Sequence, residues 1–354
     1  MAFSDTLTTI LNHGAVNLAL GLGYNLKIFD VLDARDTPVS IEELAEHCCL
    51  DPRYLKEWMG IMVTAGIILP APEDPDTYTL PRKHGDLLCR RAGSGNMGVY
   101  FQEIPLLTAC AMDAVKQGFK TGNGVPFSAY PDFQAFMTEL ADAKHEQVLV
   151  TEFLPGVNDG ALVRDLDRGI RVCDLGCGQG TAVHLMAKAF PKSQFLGIDT
   201  HGQALAIARQ RARHLNLTNT AFEELDAARL CENTALAQGF DWICAFDAIH
   251  DQSHPLQALE GVRHMLKPDG VFSMIDIKAG SAIADNMAHP MAPFLYTVSL
   301  MHCMPVGLNN QGRGLGMMWG EQNARDLLDQ AGFSRVSVEQ IPNDAFNIHF
   351  LCRP

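Results

Sequence analysis

With 354 residues, 47% of them hydrophobic, the chain can bury the cores of about two domains. A net charge of -14 and a pI near 5.3 oppose the counterion-release attraction that dominates nucleic-acid binding, and point to small-molecule partners. Apolar runs break at Gly, His or Pro well short of a membrane span, the N-terminus lacks a basic signal start, and the ten cysteines show neither zinc spacing nor a disulfide framework, so a soluble, cytoplasmic chain of reduced thiols is expected.

Residues 1–85 read as a small helical domain. LKIFDVLDA forms a short helix, and Ser40 caps SIEELAEHC with Glu43 as its capping-box partner. Asp51 and Pro52 open a helix whose Leu55, Met59, Met62 and Val63 share one face. GIILPAPEDPDTYTL follows as a two-stranded wing around an acidic turn, completing a winged-helix pattern. Residues 1–85 hold 12 acidic and 6 basic side chains, which argues against DNA, and in a chain like this such an element more often mediates dimer contacts.

Residues 86–165 read as mainly helical, interrupted by the aromatic Gly/Pro turn KTGNGVPFSAYPDFQAF, and are expected to form a linker and substrate lid. From 166 to 354 strand, turn and helix alternate, with strands at RVCDL, QFLGID, NTAFEE, DWICAFDAI, VFSMIDI, RVSVEQI and NIHFLCRP. One intervening helix starts near His254 with Pro255 in its first turn and presents Leu256, Leu259, Val262 and Leu266. The last two strands are joined by PNDA, too short for a crossover helix, so they pair antiparallel. The fold class is therefore α/β, a Rossmann-like seven-stranded sheet, mostly parallel with an antiparallel last strand, behind a mainly helical winged-helix domain.

The first strand of this half runs into VCDLGCGQG, whose DxGCGxG spacing is not the GxGxxG of dinucleotide sites, so an NAD-dependent oxidoreductase is disfavoured. The turn looks like the first motif of class I methyltransferases that use S-adenosylmethionine. Gly176, Gly178 and Gly180 let the backbone pass beside a bulky cofactor, and the Asp174 carboxylate can receive its ammonium directly or through water. Asp199 ends the next strand about 20 residues on, where an acid accepts ribose hydroxyls. Asp226 follows the third strand, at the place of an acid bonded to the adenine amino group, with Glu223 and Glu224 as nearby alternatives.

The fourth strand ends in FDAIHDQSHP and sets His250 and Asp251 at the carboxyl edge, where open α/β sheets bind ligands and where a histidine can take a proton near neutral pH. The plain alternative is that His250 only bonds the backbone or Asp251. His302 beside Cys303 suggests a metal, but spacing offers no third ligand and no metal is assigned.

Taken together, the chain resembles the winged-helix-containing class I S-adenosylmethionine-dependent methyltransferases. It is similar to the plant and bacterial small-molecule O-methyltransferases and to the mycobacterial-type branch of that group. The likeness spans LGLGYNLKIFDVL and the wing, GNGVPFSAYPDF, VCDLGCGQG, AFDAIHDQSHP and MHCMPVGLNNQGRGLGMMWG. It implies methyl transfer to a small-molecule hydroxyl or heteroaromatic nitrogen, with S-adenosylhomocysteine as product, His250 as general base and Asp251 orienting it. Gln252 stands where that group usually has Trp. The resemblance also implies Ala227 and Phe246 beside the cofactor, a homodimer built on the N-terminal helices, and a pocket closed by the middle helices and residues 290–320. Phe127, Tyr130, Tyr296, Met301, His302, Met318 and Trp319 are its candidate walls. A cofactor-sensing winged-helix regulator without catalysis is the other reading weighed.

Overall fold

A computed structural model describes residues 2–131, 133–342, 344 and 346–354. The chain divides into two compact units, residues 1–109 and 110–354.

In the first unit the helix Phe3–Asn25 is followed by Ile28–Asp33, Ile41–Cys48, Pro52–Thr64 and Arg82–Leu88. Ser40 Oγ accepts from the Glu43 amide and the Glu43 carboxylate accepts from the Ser40 amide, closing the expected capping box. Asp51 caps the next helix through the amides of Arg53 and Tyr54. Leu55, Met59 and Met62 of that helix are buried, while Val63 is only half-buried. Trp58 crosses to the first helix, where its Nε1 donates to the Ala19 carbonyl at 2.8 Å. The wing has three strands: β1 (Val39–Ser40) pairs with β3 (Thr77–Thr79), which pairs with β2 (Leu69–Pro70). The third strand escapes sequence reasoning because two residues ahead of a capped helix carry no periodicity.

The second unit is built on a seven-stranded sheet of β4 (Arg171–Leu175), β5 (Gln194–Asp199), β6 (Thr220–Glu224), β7 (Phe240–Phe246), β8 (Leu266–Ile277), β9 (Arg335–Gln340) and β10 (Asn347–Arg353), in the order β6-β5-β4-β7-β8-β10-β9. The first five strands are parallel, and β10 runs antiparallel to both β8 and β9. Asn343 and Ala345 of the connecting PNDA turn lie outside the described residues. Alternation along the strands feeds two cores, one holding Cys173, Leu175, Ile198, Ile243, Phe272 and Phe350, the other Val172, Phe195, Trp242, Ile275 and Leu351. A parallel sheet covered on both faces requires this.

Two boundaries differ from expectation. Leu266 opens β8 and does not lie in the helix Pro255–Met265. The strand expected to run through Ile249 stops at Phe246, because Asp247 takes a left-handed φ of 51° and accepts a hydrogen bond from the Asn347 side chain on β10. That turn swings His250 off the strand and over the carboxyl edge of the sheet.

Candidate active site

The glycine turn after β4 is held open by its backbone. Gly176, Gly178 and Gly180 have φ of 77°, 53° and 78°, the left-handed region that favours glycine. A Cβ on Gly176 would lie 2.5 Å from the Ala248 Cβ, and one on Gly180 would lie 2.7 Å from the Phe222 ring. The turn therefore abuts the segment that carries His250. The amides of Gly176 and Cys177 donate to the Ile198 carbonyl at 2.8 and 3.0 Å, tying the turn to β5.

Two acids face this turn. Asp199 accepts from the Gly178 amide on Oδ2 and from the His201 amide on Oδ1, both at 2.8 Å, which fixes its carboxylate while leaving further lone pairs. Asp174 is buried, and burial raises its pKa to about 7; the thiol of Cys244, donating to Oδ1 at 3.7 Å, works against the rise and Asp199 adds to it. A buried carboxyl with no cationic partner among the described residues, next to a turn emptied of side chains, fits a ligand that brings an ammonium group. Asp226 is exposed and caps the short turn Ala227–Glu232 by accepting from the Ala228 amide at 2.9 Å, with Ala227 buried behind it. Phe246 is half-buried and packs edge-on against His145 and Phe153.

Across the turn lies a group of titratable side chains. His250 Nδ1 is 2.7 Å from Asp276 Oδ1, and both side chains are buried. Its Nε2 faces Asp251 Oδ1 at 3.5 Å. Burial opposes a charge on this imidazole, but Asp276 and Asp251 outweigh it and hold the pKa well above the ordinary histidine value. Asp276 went unnoticed in the sequence. Its signal was a lone acid inside VFSMIDI, a strand otherwise read as apolar and two-sidedly buried, where a carboxylate needs a partner.

The acceptor side is aromatic. His302 and Cys303 sit in the π-helical turn Ser299–Cys303, a winding often found at functional sites. The His302 ring stacks on Phe133, with centroids 3.8 Å apart, and meets the edges of Tyr130 at 4.8 Å and Phe127 at 5.8 Å. Burial lowers its pKa to about 4, so the ring is neutral. Tyr130 donates its hydroxyl to the Met301 carbonyl at 2.7 Å. Phe127 also touches His201, two residues beyond Asp199, and so spans the two halves of the site. The structure thus brings Phe127, Tyr130, Met301 and His302 together, and adds Phe133. Tyr296 and Met318 pack instead in a small cluster with Ile277 and Leu295, and Trp319 lies in the sheet core beside Ala324.

Residues 166–332 match the family described as "Methyltransferase domain", and residues 14–90 match the "Rv2258c-like winged HTH domain". Ubiquinone biosynthesis O-methyltransferase of Haemophilus ducreyi is 33% identical over 113 residues, 31% of this chain and 46% of that protein. The chain thus spans about half the length of such curated relatives. Human N-acetylserotonin methyltransferase, solved with S-adenosylmethionine, superposes with a TM-score of 0.71 at 16% identity, covering 100% of this chain and 98% of that one. An O-methyltransferase family protein from Burkholderia thailandensis gives 0.68 at 14% identity, with 100% and 98% covered. The fold is that of the S-adenosylmethionine-dependent methyltransferases, and the chain carries a methyltransferase domain behind a winged helix-turn-helix domain.

Proposed function

We propose that this chain, a methyltransferase domain behind a winged helix, moves a methyl group from S-adenosylmethionine to a small acceptor bearing a hydroxyl or heteroaromatic nitrogen. The observation that carries the reading is the buried His250–Asp276 pair, on the segment that touches the glycine turn through Ala248. Asp174 fits the ammonium of the methionine part, Asp199 fits the ribose hydroxyls, and Asp226 with Ala227 fits the adenine end.

S-adenosylmethionine supplies the methyl group as a sulfonium and leaves as S-adenosylhomocysteine. Asp276 accepts a hydrogen bond from His250 Nδ1–H and thereby leaves Nε2 as the nitrogen that faces the site. Asp276 and Asp251 favour the imidazolium, so His250 acts as base from its deprotonated form, whose Nε2 takes the acceptor's proton. Phe127, Tyr130, Phe133 and His302 form an apolar wall against which a planar acceptor is held at attack distance and kept from water.

A homodimer joins this reading because the first helix exposes Phe3, Leu7, Ile10 and Leu11 on neighbouring turns. The regulator alternative draws on the winged domain, but the acidic excess of that region and the Arg53–Glu57 pair on its Pro52–Thr64 helix leave little to attract phosphate.

The test is incubation of the purified protein with methyl-labelled S-adenosylmethionine and a small-molecule extract. A His250→Ala variant, its cofactor affinity checked by calorimetry, runs alongside. Label entering a new compound only with the native chain supports the enzyme and the base. Cofactor binding with no transfer in any extract favours the regulator, and equal turnover by the variant removes His250 from the chemistry.

A further inference from the structure

His250 Nε2, Asp251 Oδ1 and Cys303 Sγ lie within 4.8 Å of one another, with Nε2 and Oδ1 3.5 Å apart. Ligand atoms placed about 2.0 to 2.3 Å from a tetrahedral zinc ion are themselves roughly 3.3 to 3.8 Å apart. The His250–Asp251 edge of the cluster has the length of an edge of such a site, and the two edges to Cys303 are at most 4.8 Å. Sequence spacing could not show it, because His250 and Asp251 come from the turn after β7 and Cys303 from the π-helical turn.

Three observations point to a cation between these atoms. Asp251 Oδ1 is buried without a hydrogen bond of good geometry among the described residues, and the groups that face its carboxylate are His250 Nε2 and the Cys303 thiol, the other two members of the cluster. Its separation from Nε2 is long for a charge-assisted hydrogen bond, which closes to about 2.7 to 2.9 Å, yet it suits a larger ion in the middle. The 2.7 Å contact of Nδ1 with Asp276 is the outer-shell carboxylate that metal-bound histidines commonly have, and it leaves Nε2 as the nitrogen that faces the cluster and can ligate once its proton has left.

We infer that His250, Asp251 and Cys303 form a binding site for one thiophilic divalent cation of the zinc class. Nitrogen, carboxylate and thiolate are a donor set that zinc accepts, and three protein ligands leave a fourth position open. Binding displaces two protons to solvent, one from the Cys303 thiol and one from His250 Nε2, and uses the same Nε2 lone pair that a general base needs. Metal occupancy and base use of His250 exclude each other. The inference does not depend on methyl transfer, since its readout is metal binding.

The experiment takes the full chain, stripped with chelator, and titrates it with cobalt(II) by absorbance and with zinc against a chromophoric chelator. One equivalent should bind per chain, with a thiolate-to-cobalt charge-transfer band. Cys303→Ser should abolish the band, and Asp251→Asn should keep it while weakening zinc by at least about tenfold, the smallest loss expected even for an outer-shell partner. A Cys48→Ser, Cys49→Ser double variant should behave as the native chain. Melting temperature and cofactor binding of each variant establish that it is folded. Absence of an equivalent in the native chain, or an unchanged band and affinity in Cys303→Ser, overturns the site. Methyl transfer can fail in its own assay without touching this result, and the reverse.

Discussion

His250 Nδ1 and Asp276 Oδ1 lie 2.7 Å apart, two buried groups separated by 26 residues and brought together at the carboxyl edge of adjacent parallel strands. Asp276 Oδ1 also accepts from the Ile277 amide at 2.8 Å, so the carboxylate is fixed and the imidazole is oriented by it.

Asp276→Asn keeps the shape of this pair but can present the wrong hydrogen-bonding partner to Nδ1, which turns the Nε2 lone pair away from the acceptor. Turnover should fall by about 10² to 10⁴-fold, with KM and cofactor affinity little changed. A purely structural role would instead lower the melting temperature and weaken cofactor binding together. Steady-state kinetics beside calorimetry distinguish the two.

Asp174 makes cofactor binding pH-dependent. Its pKa stands near 7 in the ligand-free chain because it is buried, and an incoming ammonium needs the ionised form. Below pH 7 the proton must leave on binding, so affinity should drop by about tenfold per pH unit and level off above 7. The same shift acts on the fold with the opposite preference. A folded pKa raised from 3.8 favours the protonated state, a stabilisation fully present below about pH 4 and lost as pH rises through 7. Calorimetric titrations between pH 5.5 and 8.5 should show the slope in the native chain and none in Asp174→Asn; a flat native profile removes Asp174 from the ammonium site.

Gly176→Ala adds a Cβ at a φ of 77° and 2.5 Å from the Ala248 Cβ. Strain at a left-handed position costs on the order of 1–3 kcal/mol. Because the collision is with the segment leading to His250, both cofactor binding and turnover should suffer. Thermal melting and cofactor titration of the variant measure the two effects, and a variant with native affinity would show that the turn does not approach the ligand.

Most of the second unit was legible because its signals are local. Hydrophobic runs, the glycine turn and the acids at strand ends fall where the sequence places them, since each depends on a few neighbouring residues. The pairing of His250 with Asp276 was not legible. It needs β7 and β8 to be neighbours, and the left-handed Asp247 to end β7 early, and both are properties of the assembled sheet. Phe133 escaped for the same reason, being joined to the site by His302 across the fold. Trp319, which the resemblance offered as a pocket wall, is buried in one of the two sheet cores, the ordinary place of a large aromatic.

The first helix carries the last prediction. Phe3 is 74% exposed, Leu7 48%, Ile10 60% and Leu11 74%, a run at the three- and four-residue spacing that places side chains on one stripe. Burying such a stripe against a second copy removes apolar surface worth about 25 cal/mol per Å². An acid in its middle would have to be desolvated without a partner. Leu11→Asp should therefore convert a dimer to a monomer while leaving the melting of the second unit and its cofactor affinity unchanged, as read by light scattering, thermal denaturation and calorimetry. The substituted side chain is exposed in the single chain, so loss of folding is not expected and the mass is a clean readout. A native chain that runs as a monomer at micromolar concentration would remove the dimer from the proposed function and leave the stripe to be covered by something else.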